Sequence, residues 1–283
     1  MNNVSLRTKI QDRIHNVSEP LWFPDITPQL AKTGWDSLKK EFDLDPSSYA
    51  TTRVLARKID ASISLFPSGK LPFSVELLPK GLLKRYSDSQ FDFYTPEELS
   101  KLSVLDRVAG AVDLIKLVPT LSKSVFQLVK SVHLIKLDND AFDVSFSEPR
   151  LPFSIFVSVP KNRTKADHLR VAEAIVHEAM HLQLSLKEKL VPLTKSNRQK
   201  FYSPWKDQYR NSTGILHALY VFAVIESFYG HLELKRYHSP IDLGFMKSRR
   251  NEISLEIDRI NGFARSRDLT DYGVSFTKRM LGV

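Results

Sequence analysis

Two histidines and a glutamate occur at a spacing that suits a metal ion, in the segment Val176-His177-Glu178-Ala179-Met180-His181. Residues four apart lie one turn apart on one face of an α-helix, so His177 and His181 can present two imidazoles to a single ion. Glu178 would then lie beside the metal, as in the HExxH pattern of zinc hydrolases. Residues 171–175 are mostly apolar, which makes two unpartnered histidines costly to bury there. We therefore predict a metal site, with two hydrogen-bonded histidines as the alternative.

A third ligand is expected from a later predicted helix, which carries His217, Glu226 and His231. His217 and Glu226 are nine residues apart, or about 900° of helical rotation, so they point to opposite sides and at most one faces the metal. We prefer His217; Glu226 is the second choice, and His231 or no third protein ligand remain. A metzincin has Gly and a third His where this chain has Leu184 and Lys187, which excludes that class.

The spacing of these residues leaves the identity of the metal open. Zinc would lower the pKa of a bound water, and Glu178 would take its proton, as in a hydrolase. A nitrogen-rich site with open positions also suits iron(II), which can bind oxygen and an oxo-acid. The neighbouring residues must decide between the two metals.

An anion site is predicted just before His217. Asn211 or Ser212 can cap a helix there, so unpaired amides and the positive end of the helix dipole lie about one turn before His217. Arg210 precedes the cap and can hold a carboxylate through two parallel hydrogen bonds. A dicarboxylate such as 2-oxoglutarate would bind iron through its oxo-acid end and Arg210 through its far carboxylate. The alternative is that Arg210 forms a surface ion pair.

Several segments together resemble a known family. They are Asp143-Val144-Ser145-Phe146-Ser147, residues 151–158, residues 172–181, residues 202–205 and residues 214–218. Over about residues 130–235 the chain resembles the HExxH-type peptide β-hydroxylases that modify ribosomally made peptides. The resemblance implies a non-haem dioxygenase that uses iron(II) and 2-oxoglutarate to hydroxylate the β-carbon of a residue in a precursor peptide. It implies that His177, His181 and His217 hold iron. Arg210 would anchor 2-oxoglutarate, and Glu178 would orient ligands or water.

Helices and a few strands must position these residues. The sequence pattern predicts a mainly α protein (α+β), with a small antiparallel sheet before the HExxH helix. Helical spacing covers residues 28–42, about 48–62, 96 to about 128 with a break at Pro119, 166 to about 190, 212 to about 237 and 242–263. Short β-branched or aromatic runs at 132–137, 142–146 and 151–159 predict the sheet.

A soft boundary is expected near residue 130, within one compact protein. Residues 1–130 would form a helical amino-terminal part, as a lid or peptide-recognition region. Residues 131–283 would form the metal-binding catalytic part. No internal repeat and no linker rich in Gly, Pro or Ser divides the chain.

The composition narrows the class of protein. The chain has 283 residues and no Cys, which excludes a disulfide scaffold and a Cys-ligated metal centre. Residues 1–20 contain charges throughout and lack the apolar run of a signal peptide. The apolar run at residues 214–230 contains His217 and Glu226, which suits a buried core helix better than a membrane span. We therefore expect a cytoplasmic protein without membrane insertion.

The charge is unevenly distributed, because eight of the nine excess positive charges lie in residues 151–283. One basic cluster contains Lys187, Lys189, Lys195, Arg198, Lys200, Lys206 and Arg210. It predicts attraction of an anionic substrate or an acidic precursor peptide, and a solvated basic face is the alternative. A nucleic-acid partner is not expected, since no nucleic-acid module is recognisable.

Two other functions remain open. The first is a zinc metallopeptidase of gluzincin type that uses the HExxH residues and Glu226. The second is a protein that a metal stabilises and that captures an acidic peptide without catalysis.

Overall fold

The computed structural model describes residues 3–16, 18, 20–42, 64–66, 71–78, 91–101, 103–137, 144–147, 153–162, 164–235 and 239–283. The chain divides into two compact units. The terminal unit contains residues 1–32 and 183–283, and the middle unit contains residues 33–182. The helix predicted at about residues 48–62 lies outside the described residues.

Helices make up most of the described chain. They are α1 (Asn3–His15), α2 (Thr27–Phe42), α3 (Pro96–Lys101), α4 (Val104–Lys116), α5 (Pro119–Leu128), α6 (Asp167–Glu188), α7 (Ser212–Glu233), α8 (Pro240–Asp258) and α9 (Asp271–Leu281), with a 3₁₀ helix at Asn261–Arg265. The strands are β1 (Ser64–Phe66), β2 (Ser74–Leu77), β3 (Ser131–Leu137), β4 (Ser145–Phe146), β5 (Ser154–Pro160), β6 (Lys200–Ser203) and β7 (Gln208–Asn211). The prediction of a mainly α protein with a small sheet before the HExxH helix is confirmed.

Local sequence signals explain where the helices of the middle unit begin. Thr95 and Glu98 form a capping box at α3, because the backbone N–H of each donates to the side chain of the other, at 2.8 and 3.3 Å. Pro119 is the first residue of α5, where its missing N–H costs nothing. The helical stretch predicted from residue 96 to about 128 therefore forms three helices. The break before Pro119 was predicted, and the break before Val104 was not.

The middle unit is built on a five-stranded sheet with the strand order β1-β2-β3-β5-β4. β3 pairs in parallel with β2 on one side and with β5 on the other. The pairs β1–β2 and β4–β5 are antiparallel. This corrects the expectation of an antiparallel sheet, because the central pairs are parallel. All seven residues of β5 are buried, and a continuous buried run of this kind is typical of a strand in a parallel sheet.

The two units do not follow the boundary expected near residue 130. β2 lies before that point and β3 after it, yet the two strands are hydrogen-bonded neighbours in one sheet. The chain instead divides after Lys32 and again between Leu182 and Gln183, within α6.

α7 forms the core of the terminal unit, where it packs against α8 and α9. Among the described residues it is the one helix with the length and hydropathy of a membrane span. In its most apolar stretch of 18 residues, 72% is buried in the protein. A helix that is apolar on all sides is typical of a protein core. This burial agrees with the prediction of a buried core helix at residues 214–230.

Candidate metal site

α6 brings His177 and His181 together at the surface of the middle unit. Their Nε2 atoms are 3.1 Å apart, and the ring planes are inclined by 67°. Two nitrogens bound at about 2.1 Å to one ion, at tetrahedral to octahedral angles, are about 3.0–3.4 Å apart. The His177 side chain is 23% exposed, so solvent reaches this ring. The pair therefore has the separation of two ligands of a single metal ion.

Glu178 is held from the sheet side of the same helix. The residue is buried, and its Oε1 accepts a hydrogen bond of 2.8 Å from the Ser145 hydroxyl on β4. The same oxygen is 3.9 Å from His177 Nε2. This distance is too long for a hydrogen bond, and Nε2 is the nitrogen that would face the metal, so Glu178 would act beside the ion, on a bound water, and not on the ring. Ser145 was part of the segment that carries the family resemblance, but nothing in the spacing assigned it a role.

His217 lies on α7 in the terminal unit, where its Nε2 donates a 2.8 Å hydrogen bond to Glu188 Oε2. Both side chains are 17% exposed. A carboxylate that accepts this proton fixes the tautomer, so a metal would bind His217 through Nδ1. The sequence contained a signal for Glu188, since it follows His177 by eleven residues and eleven residues return to about the same helix face.

Glu226 lies on the opposite side of α7 from His217, as the separation of nine residues predicts. Its Oε1 is 3.3 Å from Arg250 Nη2 on α8, and Arg250 Nη1 also contacts Glu233 at 3.1 Å. His217 therefore faces α6, and Glu226 faces α8. A Glu226 carboxylate that is paired with an arginine is poorly placed to serve as a metal ligand.

The structure brings together two of the three predicted ligands. In the described parts of the chain, no three His, Cys, Asp or Glu side chains are grouped so as to hold a metal ion. His177 and His181 belong to the middle unit, and His217 belongs to the terminal unit with its partner Glu188. The role of His217 as the third ligand therefore stays a prediction.

Two further histidines, His231 and His133, donate hydrogen bonds to backbone carbonyls. His231 Nδ1 donates to the Ser227 carbonyl at 2.8 Å, one turn earlier on α7. His133 is fully buried in the sheet, stacks on Phe156 and donates from Nδ1 to the Glu76 carbonyl at 3.1 Å. Burial lowers the pKa of His133 to about 4, so this ring is neutral at physiological pH.

Arg210 lies where the predicted anion site requires it, beside the first turn of α7. The Asn211 side chain caps this helix, since its Oδ1 accepts from Gly214 N at 2.9 Å, which confirms one of the two predicted caps. A Cβ at position 214 would lie 3.1 Å from Arg210 Nε, so glycine allows the guanidinium to rest against the helix. No carboxylate among the described residues lies within ion-pair distance of Arg210. Its positive charge therefore adds to that of the helix terminus.

Lys187 is buried, although the sequence predicted it in a basic cluster at the surface. The residue is 1% exposed, and its Nζ lies 3.9, 4.5 and 4.3 Å from the ring centroids of Phe23, Tyr220 and Phe276. Burial, followed by repulsion from Arg279, lowers the pKa of Lys187 well below its usual value, and Glu188 opposes this shift. The three rings attract the ammonium group and offset part of the cost of burying it.

Replacing Lys187 by Met is expected to stabilise the protein by about 1–3 kcal/mol at pH 7, since an apolar side chain of similar size removes the cost of a buried charge. The unfolded chain binds this proton up to a pH of about 10.4, whereas the folded chain releases it at lower pH. The wild-type free energy of unfolding should therefore rise with pH between the lowered pKa and about 10.4, and the variant should lack that rise.

Urea unfolding of the two proteins at several pH values measures this difference. Lys189→Met is the matched control, because Lys189 is exposed two residues away on the chain, and it should change the stability by less than about 0.5 kcal/mol. A Lys187→Met protein that is less stable than the wild type would show that the aromatic rings more than offset the burial of the charge.

Comparison with known proteins leaves the family open. No model of a protein family matches the chain, and no curated protein matches its sequence. The resemblance to the HExxH-type peptide β-hydroxylases therefore remains a prediction that rests on the segments quoted above.

Proposed function

We propose that the protein is an iron(II)- and 2-oxoglutarate-dependent dioxygenase that hydroxylates the β-carbon of a residue in a ribosomally made precursor peptide. The observation that carries the proposal is the pair of Nε2 atoms of His177 and His181, 3.1 Å apart on α6. This separation fits two ligands of one ion. His217 is the proposed third ligand, which leaves positions on the metal for 2-oxoglutarate and oxygen.

Bound iron(II) would supply the chemistry that places one oxygen atom of O₂ in the peptide C–H bond and the other in succinate, with loss of CO₂. The chain supplies position and charge. His177 and His181 would hold the ion, and Glu178, fixed by Ser145, would order water beside it. Glu188 would keep His217 in the tautomer that binds through Nδ1.

Arg210 supports the choice of a dicarboxylate cosubstrate. Its guanidinium lies against the first turn of α7, and none of the described carboxylates neutralises it. A guanidinium beside a helix N-terminus favours a carboxylate through both its hydrogen bonds and the helix dipole. The far carboxylate of 2-oxoglutarate has the charge and geometry for this position.

A zinc metallopeptidase is the second candidate, because the HExxH helix and its histidine pair suit hydrolysis equally well. One contact favours the oxygenase. Glu226, which the gluzincin would use as its third ligand, is paired with Arg250.

We place the protein in the cytoplasm, where iron(II), 2-oxoglutarate and newly made peptides occur together. The burial of α7 supports a soluble protein, since 72% of its most apolar 18-residue stretch is covered by the rest of the protein. The substrate is proposed to be a precursor peptide with acidic residues, which would complement the basic residues of the terminal unit.

The test is an anaerobic titration of metal-free protein with iron(II) and then with 2-oxoglutarate, followed by visible absorption. We expect the charge-transfer band of an oxo-acid chelated to iron. Arg210→Ala should raise the half-saturating 2-oxoglutarate concentration about 10–100-fold, since charge-assisted hydrogen bonds contribute about 1.5–3 kcal/mol. Arg7→Ala is the matched control and should leave that concentration unchanged, because Arg7 is exposed on α1.

Each other result has a definite meaning. The absence of a band, together with tight zinc binding, would favour the peptidase. A band whose 2-oxoglutarate requirement is the same in Arg210→Ala would remove Arg210 from the site and leave the metal assignment intact.

A further inference from the structure

An excess of unpaired positive charge is concentrated in two segments of the terminal unit. Its exposed members, here called the basic face, are Arg198, Lys200, Lys206, Arg259, Arg265 and Arg267. Within the described part of the chain, none of the six forms an ion pair with a carboxylate. Elsewhere in the same unit, Arg249 pairs with Glu252 and Arg250 pairs with Glu233. Unpaired cations of this density create a positive potential that attracts an anionic partner.

The segments that carry the basic face are fixed to each other through Asp268. Its carboxylate accepts hydrogen bonds from the Ser196 hydroxyl, from Gln199 N at 2.8 Å and from the Ser212 hydroxyl at 2.8 Å. The Gln199 side chain in turn accepts from the backbone N–H of Arg267 at 2.8 Å. The cations before and within the β6–β7 hairpin and those after α8 are therefore carried by segments that are hydrogen-bonded to each other.

The β6–β7 hairpin adds two exposed aromatic rings to this surface. Tyr202 and Tyr209 are paired across the hairpin, are 41% and 71% exposed, and have ring centroids 5.9 Å apart. Lys200 lies on the same face of the hairpin as both rings, because side chains alternate along each strand. The opposite face is covered, since Phe201 packs on Phe263 at 5.1 Å. The outer face thus offers apolar rings among cations.

We propose that the basic face binds an acidic segment of the peptide substrate, with acidic side chains on the cations and an apolar side chain on the tyrosine rings. This inference rests on the proposed function for the identity of the peptide. A peptide fits better than a single-stranded nucleic acid because the Tyr202 hydroxyl donates to the Asp207 carboxylate. That carboxylate puts a negative charge at the ring pair, where every nucleotide would bring a phosphate, whereas a peptide can place an uncharged residue there.

Binding is tested by fluorescence anisotropy with full-length metal-free protein in EDTA, so that the result does not depend on iron or 2-oxoglutarate. The probes are a labelled 16-residue peptide of alternating Glu and Leu, the same peptide with Gln in place of Glu, and a labelled 20-residue oligo-dT. The variant Lys200→Glu/Lys206→Glu reverses two charges of the basic face. The matched control Lys247→Glu/Lys278→Glu makes the same change in net charge at two exposed lysines of α8 and α9.

The expected result is that the Glu peptide binds, that the Gln peptide binds at least tenfold more weakly, and that added salt weakens the complex. Lys200→Glu/Lys206→Glu should weaken binding of the Glu peptide by roughly tenfold or more, while the control pair changes it less than about threefold. Equal weakening by both pairs would show an effect of net charge alone and would overturn the proposal. Tighter binding of oligo-dT than of the Glu peptide, lost in the same variant, would identify a nucleic-acid surface instead.

The outcome is independent of the metal titration. An iron and 2-oxoglutarate band together with no peptide binding would overturn the basic face and leave the proposed dioxygenase standing. Peptide binding with no such band would support the basic face and count against the dioxygenase.

Discussion

Replacing His181 by Ala is expected to lower the affinity for iron(II) at least 100-fold, and the band with 2-oxoglutarate should disappear. His181 supplies one of two Nε2 atoms that are 3.1 Å apart, and its loss leaves His177 as the single imidazole of the pair. Removal of partners that only orient metal ligands typically costs 10–100-fold in affinity, and loss of a ligand itself costs more. Equilibrium dialysis under anaerobic conditions, with metal analysis of the protein chamber, gives the affinity directly.

His168→Ala is the matched control for this measurement. His168 lies in the first turn of the same helix, with its ring beside Asp167, 3.4 Å from the nearest carboxylate oxygen. The substitution removes the same side chain without touching the His177–His181 pair, so the iron affinity should change less than about twofold. Full iron occupancy in His181→Ala would show that the HExxH segment is not a metal site. In that case the close approach of the two rings would be a hydrogen bond and nothing more.

The sequence predicted those parts of the site that depend on local spacing. The return of an α-helix after four residues was sufficient to place His177 beside His181, and the same periodicity placed His217 and Glu226 on opposite sides of α7. The Asn211 cap and the position of Arg210 beside it also follow from neighbouring residues. These features were predictable because each depends on fewer than three turns of one helix or on its first turn.

Contacts between distant segments were not predictable in this way. Ser145 reaches Glu178 only because β4 is an edge strand that pairs antiparallel with β5, and no short-range pattern determines strand order. The parallel pairing of β3 with β5 was missed for the same reason. The sequence offered one signal, the nearly continuous apolar run of β5, since parallel strands that are covered on both faces consist of apolar runs rather than alternating residues.

Lys187 shows that a charged residue in a sequence does not have to lie at the surface of the protein. Six of the seven residues of the predicted basic cluster carry their charge in exposed or half-buried positions, but Lys187 is enclosed by Phe23, Tyr220 and Phe276. Those rings come from three distant parts of the chain, so the sequence near residue 187 does not reveal them. Three exposed members of the cluster, Arg198, Lys200 and Lys206, belong to the basic face together with Arg259, Arg265 and Arg267. The hydrogen bonds of Asp268 and Gln199 link the segments that carry the two sets.

The choice of third ligand separates the two candidate enzymes, and two substitutions on one helix decide it. His217→Ala should lower the iron(II) affinity at least 100-fold and abolish the 2-oxoglutarate band, because His217 is the third ligand of the proposed dioxygenase. Glu226→Gln should leave both unchanged, since its carboxylate is paired with Arg250 on the far side of α7. Loss of that exposed ion pair should cost less than about 1 kcal/mol of stability, so the variant remains a folded control.

The reverse pattern would establish the alternative. Zinc binding that survives His217→Ala and is lost in Glu226→Gln would identify the gluzincin ligand set, and it would require Glu226 to leave Arg250. A third substitution, Glu188→Gln, distinguishes a ligand from a residue that is merely nearby. If His217 binds the metal through Nδ1, the weaker acceptor at position 188 should reduce the iron affinity by about tenfold and should leave the fold intact. An iron affinity that is the same in Glu188→Gln and reduced in His217→Ala would mean that His217 binds the metal without help from Glu188, with its ring turned away from the position it has in this structure.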